Sequence, residues 1–214
     1  MNTINRRILA IDGPNGGGKS TVADIVKSMV TGITVIEHHD FFHKHITRKL
    51  GREIYRPEDW IGLNKTERRD SLKYIQSRDS NTVKYINSIA YDDVLLERFA
   101  LTGIVYCDLL SFDLQQYLSH TISLLEKLNN LEFIYVSCAE DILLERNLRE
   151  TPKKLIRQST GSPYHLLSES AIKRKHALYE KHFQNLPIEK KIYIDTSEIT
   201  DKEIRNRLRG KWNL

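Results

Sequence analysis

The chain has 214 residues, of which 40% are hydrophobic and 29% are charged, and its formal net charge at pH 7 is +5. These values are ordinary for a globular protein, and no apolar run reaches the roughly 20 residues that a transmembrane helix needs, which excludes a membrane-spanning protein. The length predicts a single domain over residues 1–214 with a sizeable core. Only two cysteines occur, Cys107 and Cys138; they exclude a disulfide framework and a zinc site, and we expect a cytoplasmic protein.

Basic residues gather in three clusters, at 146–157, 173–175 and 202–211. Nucleic-acid binding is one interpretation of a basic chain. Phosphate handling explains the first cluster equally well, and solvated helix faces explain the others. We therefore expect neither a nucleic-acid nor a membrane partner, and the composition is compatible with a homodimer.

The first predicted strand, residues 7–11, leads into the sequence GPNGGGKS at 13–20, and a predicted helix over 21–30 follows. This stretch fits the phosphate-binding pattern G-x-x-x-x-G-K-[ST] at every fixed position, with the strand and the helix that the pattern requires. Glycines let consecutive N–H groups surround a phosphate, and the new helix adds the positive end of its dipole. The sequence therefore predicts a nucleoside triphosphate site.

Specific roles follow for the side chains of this loop. Lys19 is expected to reach the β- and γ-phosphates of ATP, and the Ser20 hydroxyl to ligate Mg²⁺. The residues expected to bind the nucleotide are Gly13, Asn15, Gly16, Gly17, Gly18, Lys19, Ser20 and Thr21.

A β-branched run at 34–37 predicts the second strand, and Asp40 follows it within the sequence HHDFFH. Between residues 41 and 64, charged residues, glycines and Pro57 interrupt every hydrophobic period. This pattern predicts an irregular excursion with short helical pieces, which we assign to the acceptor site.

The remaining chain alternates between helical and strand patterns. Helices are predicted at 65–77, 91–101, 112–128, 139–149, 168–185 and 201–208, strands at 104–107, 131–138 and 191–195, and a turn at 79–81. Short apolar strands that alternate with helices predict an α/β fold, with a five-stranded parallel sheet covered by helices on both faces.

Acidic residues follow the first three predicted strands. Asp12, Asp40 and Asp108 each come directly or shortly after a strand. Because the carboxyl ends of parallel strands form one edge of a sheet, these acids are expected beside the glycine loop. Asp108 is expected to serve Mg²⁺ or to cap the next helix, and Asp12 to be structural.

Two arginines follow the fourth predicted strand. Arg146 and Arg149 lie three residues apart on one helix face, and residues 150–166, with two prolines and a glycine among polar residues, predict a flexible lid. Phosphoryl transfer needs positive charge on the transferred group and exclusion of water, so both arginines are candidates to clamp the γ-phosphate. The alternative is that they pair with Glu145 or Glu150 on the surface.

Over residues 7–150 the chain resembles the P-loop small-molecule kinases, particularly the uridine kinase and nicotinamide riboside kinase group. The motifs that carry this resemblance are GPNGGGKST, HDFF, Pro57-Glu58-Asp59, GIVYCDLLSFD and AEDILLERNLRET. The resemblance implies a P-loop kinase fold with a lid, in which Asp40 is the base for the acceptor hydroxyl.

The C-terminal part, with AIKRKHALYEKHF and KIYIDTS, looks more like thymidylate kinases and deoxynucleoside kinases. Thymidylate kinases carry Asp-Arg after the third strand. Here the predicted third strand is followed by Asp108 and Leu109, and a leucine in place of that arginine weighs against an acceptor that bears a phosphate.

The chemistry of the acceptor leads to the same preference. A hydroxyl loses its proton as it attacks, so a nearby carboxylate such as Asp40 helps it, whereas a nucleoside monophosphate needs arginines instead. The resulting hypothesis is an ATP- and Mg²⁺-dependent kinase for a hydroxyl of a nucleoside-like small molecule. The alternatives are a nucleoside monophosphate kinase of thymidylate type and a P-loop binding module without kinase activity.

Overall fold

The computed structural model of the chain describes residues 6–37, 63–89, 92–109, 111–158 and 169–212, with only the backbone described at 150–158 and at 212. Asp40, nearly all of the predicted excursion at 41–64, and the part of the predicted lid after residue 158 lie outside these ranges. No helix in the described ranges is long and apolar enough to cross a membrane.

Five parallel strands form one sheet, as the sequence predicts. The strands are β1 (Ile8–Asp12), β2 (Thr34–Glu37), β3 (Val94–Glu97), β4 (Leu131–Ser137) and β5 (Lys191–Asp195). Their order across the sheet is β2-β3-β1-β4-β5, so β1 lies in the centre between β3 and β4. Every residue of β1 and β4 is buried, which is why both read as continuous apolar runs rather than as alternating ones.

Helices cover both faces of the sheet. They are α1 (Lys19–Met29), α2 (Lys65–Ser88), α3 (Leu101–Leu109), α4 (Leu114–Leu125), α5 (Glu140–Gln158), α6 (Glu169–Asn185) and α7 (Asp201–Trp212). Alternate residues of β1 divide the core between the two faces. Ile8 and Ala10 pack with α2, α3, α4 and α6, whereas Leu9 and Ile11 pack with α1 and α7.

The prediction for the third strand was wrong. Residues 94–97, predicted as part of a helix, form β3, and residues 104–107, predicted as a strand, lie inside α3. Both are short apolar runs, and periodicity alone does not distinguish a buried strand from a buried helix segment. Pairing decides the matter, since Val94–Glu97 fits between β1 and β2 in parallel register.

Gly103 lies inside α3 for a packing reason. A Cβ atom at this position would lie 2.1 Å from the Tyr117 hydroxyl oxygen. The same hydroxyl donates a hydrogen bond of 2.6 Å to the buried carboxylate of Asp79. Asp79 therefore lies within the continuous helix α2 rather than in the turn predicted at 79–81, because its polar side chain serves a buried contact.

Helix α5 is longer than predicted. It continues to Gln158, beyond the expected end at residue 149, so the first half of the segment predicted as a flexible lid is helical. Pro152 lies within this helix.

Candidate functional site

The glycine loop between β1 and α1 lies directly against β4. Gly13 has a φ of 147°, and a Cβ atom there would lie 2.0 Å from the carbonyl oxygen of Val136. Gly18 has a φ of 87° and caps the N-terminus of α1. Only glycine tolerates both the left-handed backbone and the close approach, so the loop has the shape that the sequence pattern predicts.

Side chains outside the loop hold three of its consecutive carbonyl groups. Asn147 Nδ2 donates to Asn15 O at 2.9 Å, Arg146 Nη1 donates to Gly16 O at 3.2 Å, and Thr196 Oγ1 donates to Gly17 O at 2.9 Å. We call these three side chains the loop brace. They fix the conformation of the loop from its outer side, so its inner side remains for a ligand.

Arg146 makes further hydrogen bonds within the loop brace. Its guanidinium also donates to Thr196 Oγ1 and to Thr196 O, both at 2.9 Å. Thr196 follows β5, and its backbone N–H donates to Ser137 O at the end of β4. Arg146 thus joins the loop to the ends of two strands.

Lys19 is buried and lies across the loop, where its Nζ donates a hydrogen bond of 2.5 Å to Pro14 O. An amine at this point fits a bound triphosphate. So does a loop whose glycines stand at positions where any side chain would clash.

A cleft opens beside the loop at the carboxyl edge of the sheet. Its lining comprises Ile11, Lys19, Ser20, Glu37, Glu97 and Arg98. Glu37 and Glu97 are partners in the parallel register of β2 and β3, so both carboxylates emerge at the same level. The fold thus brings two acids and an arginine to the phosphate-binding loop.

The donor atoms of this cleft suit Mg²⁺, which prefers oxygen ligands and usually keeps several waters. The Ser20 hydroxyl and the carboxylates of Glu37 and Glu97 are such ligands. Within the described ranges, no group of three or more His, Cys, Asp or Glu side chains could hold a metal. A magnesium ion would therefore be held by Ser20 and the phosphates of the nucleotide, with Glu37 and Glu97 as further oxygen donors.

Glu97 is held by a basic neighbour from α1. Lys27 Nζ lies 2.9 Å from Glu97 Oε1, although the geometry is that of an ion pair rather than a well-formed hydrogen bond. The contact with Glu97 is the main reason that the pKa of Lys27 is raised. Lys27 therefore stays protonated and orients the Glu97 carboxylate within the cleft.

Arg98 follows β3 in an unusual backbone conformation, with a φ of 62°. Its N–H donates to Ile11 O at 2.8 Å, which holds the residue against β1. Arg98 lines the cleft, and its guanidinium makes no hydrogen bond or ion pair with any other residue that the structure describes. Such strain in a non-glycine residue is typical of functional positions.

Asp12 is a buried residue that connects the loop to α3 through hydrogen bonds. Its carboxylate accepts hydrogen bonds from Gly13 N at 2.7 Å, from Thr102 N at 2.7 Å and from Thr102 Oγ1 at 2.5 Å. Burial raises the pKa of Asp12, and these hydrogen bonds oppose that rise. The structural role expected for Asp12 agrees with these contacts.

Asp108 does not lie at the strand edge, because the segment before it is helical. Its carboxylate contacts His182 Nε2 at 2.7 Å and Lys181 Nζ at 3.3 Å, both on α6. Burial raises the pKa of Asp108, but hydrogen bonds from His182 and Lys181 outweigh burial and leave the pKa below its usual value. The placement that suggested a magnesium ligand was therefore wrong.

The two arginines of α5 have different surroundings. Arg146 belongs to the loop brace, whereas the side chain of Arg149 is 76% exposed and pairs with Glu145. The alternative of a surface ion pair thus describes Arg149. The γ-phosphate clamp stays a prediction for both residues.

Sequence reasoning missed Glu37, Glu97, Arg98 and Thr196. The first three lie together only because residues 94–97 form β3 beside β2. The sequence does contain a signal, since the run VLLER carries an acid and an arginine directly after an apolar stretch. Thr196 had no signal, because its role depends on the approach of the β5 end to the loop.

No protein-family model and no curated protein matches the chain. Solved structures do match it. Deoxyadenosine kinase from M. mycoides with bound dATP has a TM-score of 0.60 at 14% identity, over 98% of this chain and 100% of that chain. The structure of the same enzyme with the products dCMP and a flexible dCDP has a TM-score of 0.58 at 16% identity, over 96% and 98%.

Thymidylate kinase from Candida albicans is similar at a TM-score of 0.58 and 12% identity, over 96% of this chain and 90% of that chain. At these identities the likeness shows the fold, which is that of the P-loop kinases. A specific likeness to the uridine kinase group stays a prediction.

Proposed function

We propose that the protein is an ATP-dependent kinase that transfers the γ-phosphoryl group to a hydroxyl of a nucleoside-like small molecule. The observation that carries this proposal is the cleft that is lined by Lys19 and Ser20 of the loop together with Glu37, Glu97 and Arg98. The loop suits the phosphates of the donor nucleotide, and a neighbouring carboxylate suits the hydroxyl of the acceptor.

In this reaction the loop and Lys19 hold the triphosphate. A carboxylate accepts the hydroxyl proton while the hydroxyl oxygen bonds to the γ-phosphorus and ADP leaves. Asp40 is the predicted base, and Glu37 and Glu97 are further candidates because they line the cleft. Mg²⁺, held by Ser20, supplies charge stabilisation for the transferred group when bound.

The second candidate is a nucleoside monophosphate kinase of thymidylate type, and Arg98 favours it. The third strand ends at Glu97 and is followed by Arg98, not by Asp108 and Leu109. The pair Glu97-Arg98 is similar to the Asp-Arg of thymidylate kinases. The reason given from the sequence against a phosphate-bearing acceptor therefore no longer holds. The similar structures include one deoxyadenosine kinase and one thymidylate kinase, so the fold suits either acceptor.

A panel of nucleosides and nucleoside monophosphates, assayed for ADP release with ATP and Mg²⁺, tests the proposal. We expect release that depends on one class of acceptor and that is lost in Lys19→Ala. Phosphorus NMR of the product then distinguishes a new phosphate ester from a new phosphoanhydride. ATP hydrolysis that no small acceptor stimulates would refute the kinase and leave a P-loop binding module.

A further inference from the structure

Helix α6 is linked to the phosphate-binding loop through two side chains that the proposed reaction does not use. His176 and Tyr179 lie three residues apart on one face of the helix. Both are largely buried, since 14% of the His176 side chain and 2% of Tyr179 are exposed. Each of them begins a chain of hydrogen bonds that ends at the loop.

His176 contacts the last residue of β4. Its Nε2 lies 2.9 Å from Ser137 Oγ and 3.5 Å from Glu180 Oε1. A carboxylate at this nitrogen favours a proton there, so the imidazole donates to Ser137 Oγ, and the Ser137 hydroxyl is left to donate to Cys138 O at 3.5 Å. Glu180 is held in turn by Tyr135, whose hydroxyl donates to the same carboxylate oxygen at 3.0 Å. These contacts fix the imidazole in one orientation.

Ser137 connects His176 to the loop. Its carbonyl oxygen lies 3.2 Å from Thr196 Oγ1, and the same hydroxyl oxygen lies 2.9 Å from Gly17 O. A Cβ atom at Gly17 would lie 3.4 Å from the Cα atom of Ser137, so the end of β4 and the loop are in close contact. A shift of Ser137 therefore moves Thr196, a member of the loop brace, and the loop with it.

Tyr179 connects α6 to the other end of the loop. Its hydroxyl lies 2.9 Å from Thr102 Oγ1, which donates to Asp12 Oδ1 at 2.5 Å, and the same carboxylate oxygen accepts from Gly13 N at 2.7 Å. Since the Thr102 proton is used for Asp12, Tyr179 donates to Thr102. One helix is thus linked to the loop both at Gly13 and at Gly17.

We propose that His176 and Tyr179 are positioning residues for the nucleotide site, and that through them α6 sets the spacing between the two ends of the loop. Apolar side chains would also pack α6 on the sheet, but hydrogen bonds require particular distances and angles and so fix the helix at one position. This inference rests on the nucleotide site of the proposed function. It depends neither on the identity of the acceptor nor on phosphoryl transfer.

Calorimetric binding of ADP with Mg²⁺ tests this role without any turnover. His176→Met and Tyr179→Phe remove the donors and keep much of the side-chain volume. Each should raise the Kd for ADP by about fivefold, the value expected for the loss of one hydrogen bond. His176→Gln should restore most of the affinity, because a glutamine amide can donate in place of the imidazole. The unfolding midpoint without nucleotide verifies that each variant is folded at the temperature of the measurement.

His182→Met is the matched control. His182 is a buried histidine of the same helix, but its Nε2 contacts Asp108 at 2.7 Å rather than a residue beside the loop. This change should lower the unfolding midpoint about as much as His176→Met does, while the Kd for ADP stays unchanged.

A double-mutant cycle locates the effect at the contact with β4. Ser137→Ala removes the same hydrogen bond from the other partner, so it should raise the Kd for ADP similarly, and its effect should not add to that of His176→Met. Unchanged ADP binding in His176→Met, Ser137→Ala and Tyr179→Phe would overturn the proposal, as would an equal loss in His182→Met. A wild type that binds no ADP would refute the nucleotide site and this role with it. A wild type that binds ADP but phosphorylates no acceptor would refute only the kinase.

Discussion

The two sides of the cleft use their cations differently. On the loop side, Arg146 donates its hydrogen bonds to Gly16 and Thr196, so this charge serves the protein itself. On the β3 side, the Arg98 guanidinium makes no hydrogen bond or ion pair with any other residue within the described ranges. The loop side is therefore preorganised before any ligand binds, whereas the described residues do not fix the Arg98 side chain on the β3 side.

This difference shows what the spacing of charged residues can and cannot predict. A spacing of three places Arg146 and Arg149 on one helix face, but it does not tell which carbonyl groups lie within reach of each. Arg146 meets the loop, and Arg149 meets only Glu145 on the surface. Basic residues near a phosphate site thus divide into those that build the site and those that remain for the substrate.

The largest expected effect is that of Lys19→Ala, which removes the cation of the loop itself. Turnover should fall by a factor on the order of 10³ or more, since this amine is expected to reach the β- and γ-phosphates. ADP release measures the loss, and circular dichroism verifies that the fold is retained. An active variant would show that the loop side of the comparison is not the nucleotide side.

The next effect concerns the carboxylates. Asp40→Asn should lower kcat by about 10²–10⁴ while nucleotide affinity stays nearly unchanged, because an amide cannot accept the proton of the acceptor. Glu37→Gln and Glu97→Gln, measured beside it, identify the base as the residue with the largest loss in kcat. If all three changes raise only the KM for the acceptor, no proton abstraction is needed and the monophosphate candidate is favoured.

A smaller effect is expected for the loop brace. Arg146→Met should raise the Kd for ADP by about tenfold, the value expected when two or three hydrogen bonds of about 1 kcal/mol each are partly replaced by water. ADP carries no γ-phosphate, so a residue that only clamps the γ-phosphate would leave this Kd unchanged and lower kcat instead. Arg149→Met, three residues along the same helix, is the control and should leave ADP binding as it is.

The smallest effect is expected for Asp108→Asn, at a distance from both sides of the cleft. Its pairing with His182 and Lys181 should contribute about 1 kcal/mol to the free energy of unfolding. Since the fold lowers the pKa of Asp108 from 3.8, this contribution is present above that value and is lost as the pH falls below it. Urea unfolding at neutral and at acid pH measures this contribution to the free energy of unfolding. If the variant instead needs more Mg²⁺ for activity, Asp108 is a metal ligand, as the sequence predicted.

The sequence predicted the parts of the fold that local chemistry determines. The glycine loop follows from the conformations that only glycine adopts, and β4 and β5 are apolar runs with clear turn signals on either side. The bounds of β2 and β5 agree with the prediction to the residue.

What the sequence could not predict depends on contacts between distant segments. VLLE at 94–97 and IVYC at 104–107 have similar composition and length, and only the pairing of the first with β1 and β2 separates strand from helix. Because strand and helix were interchanged between these two runs, Glu97 and Arg98 were not predicted as site residues, and Asp108 was predicted at the carboxyl edge of the sheet. Likewise, Thr196 and Gly17 are 179 residues apart, so no local pattern indicates their hydrogen bond.

The Asp12 carboxylate has a consequence for how ligands influence each other. One of its hydrogen bonds comes from the first glycine of the loop, and two come from Thr102 at the start of α3. A single buried group thus ties the phosphate-binding loop to the start of α3. If a nucleotide in the loop moves this carboxylate, α3 must adjust with it, and thermodynamic reciprocity would then make any ligand that shifts α3 change the nucleotide affinity by the same factor.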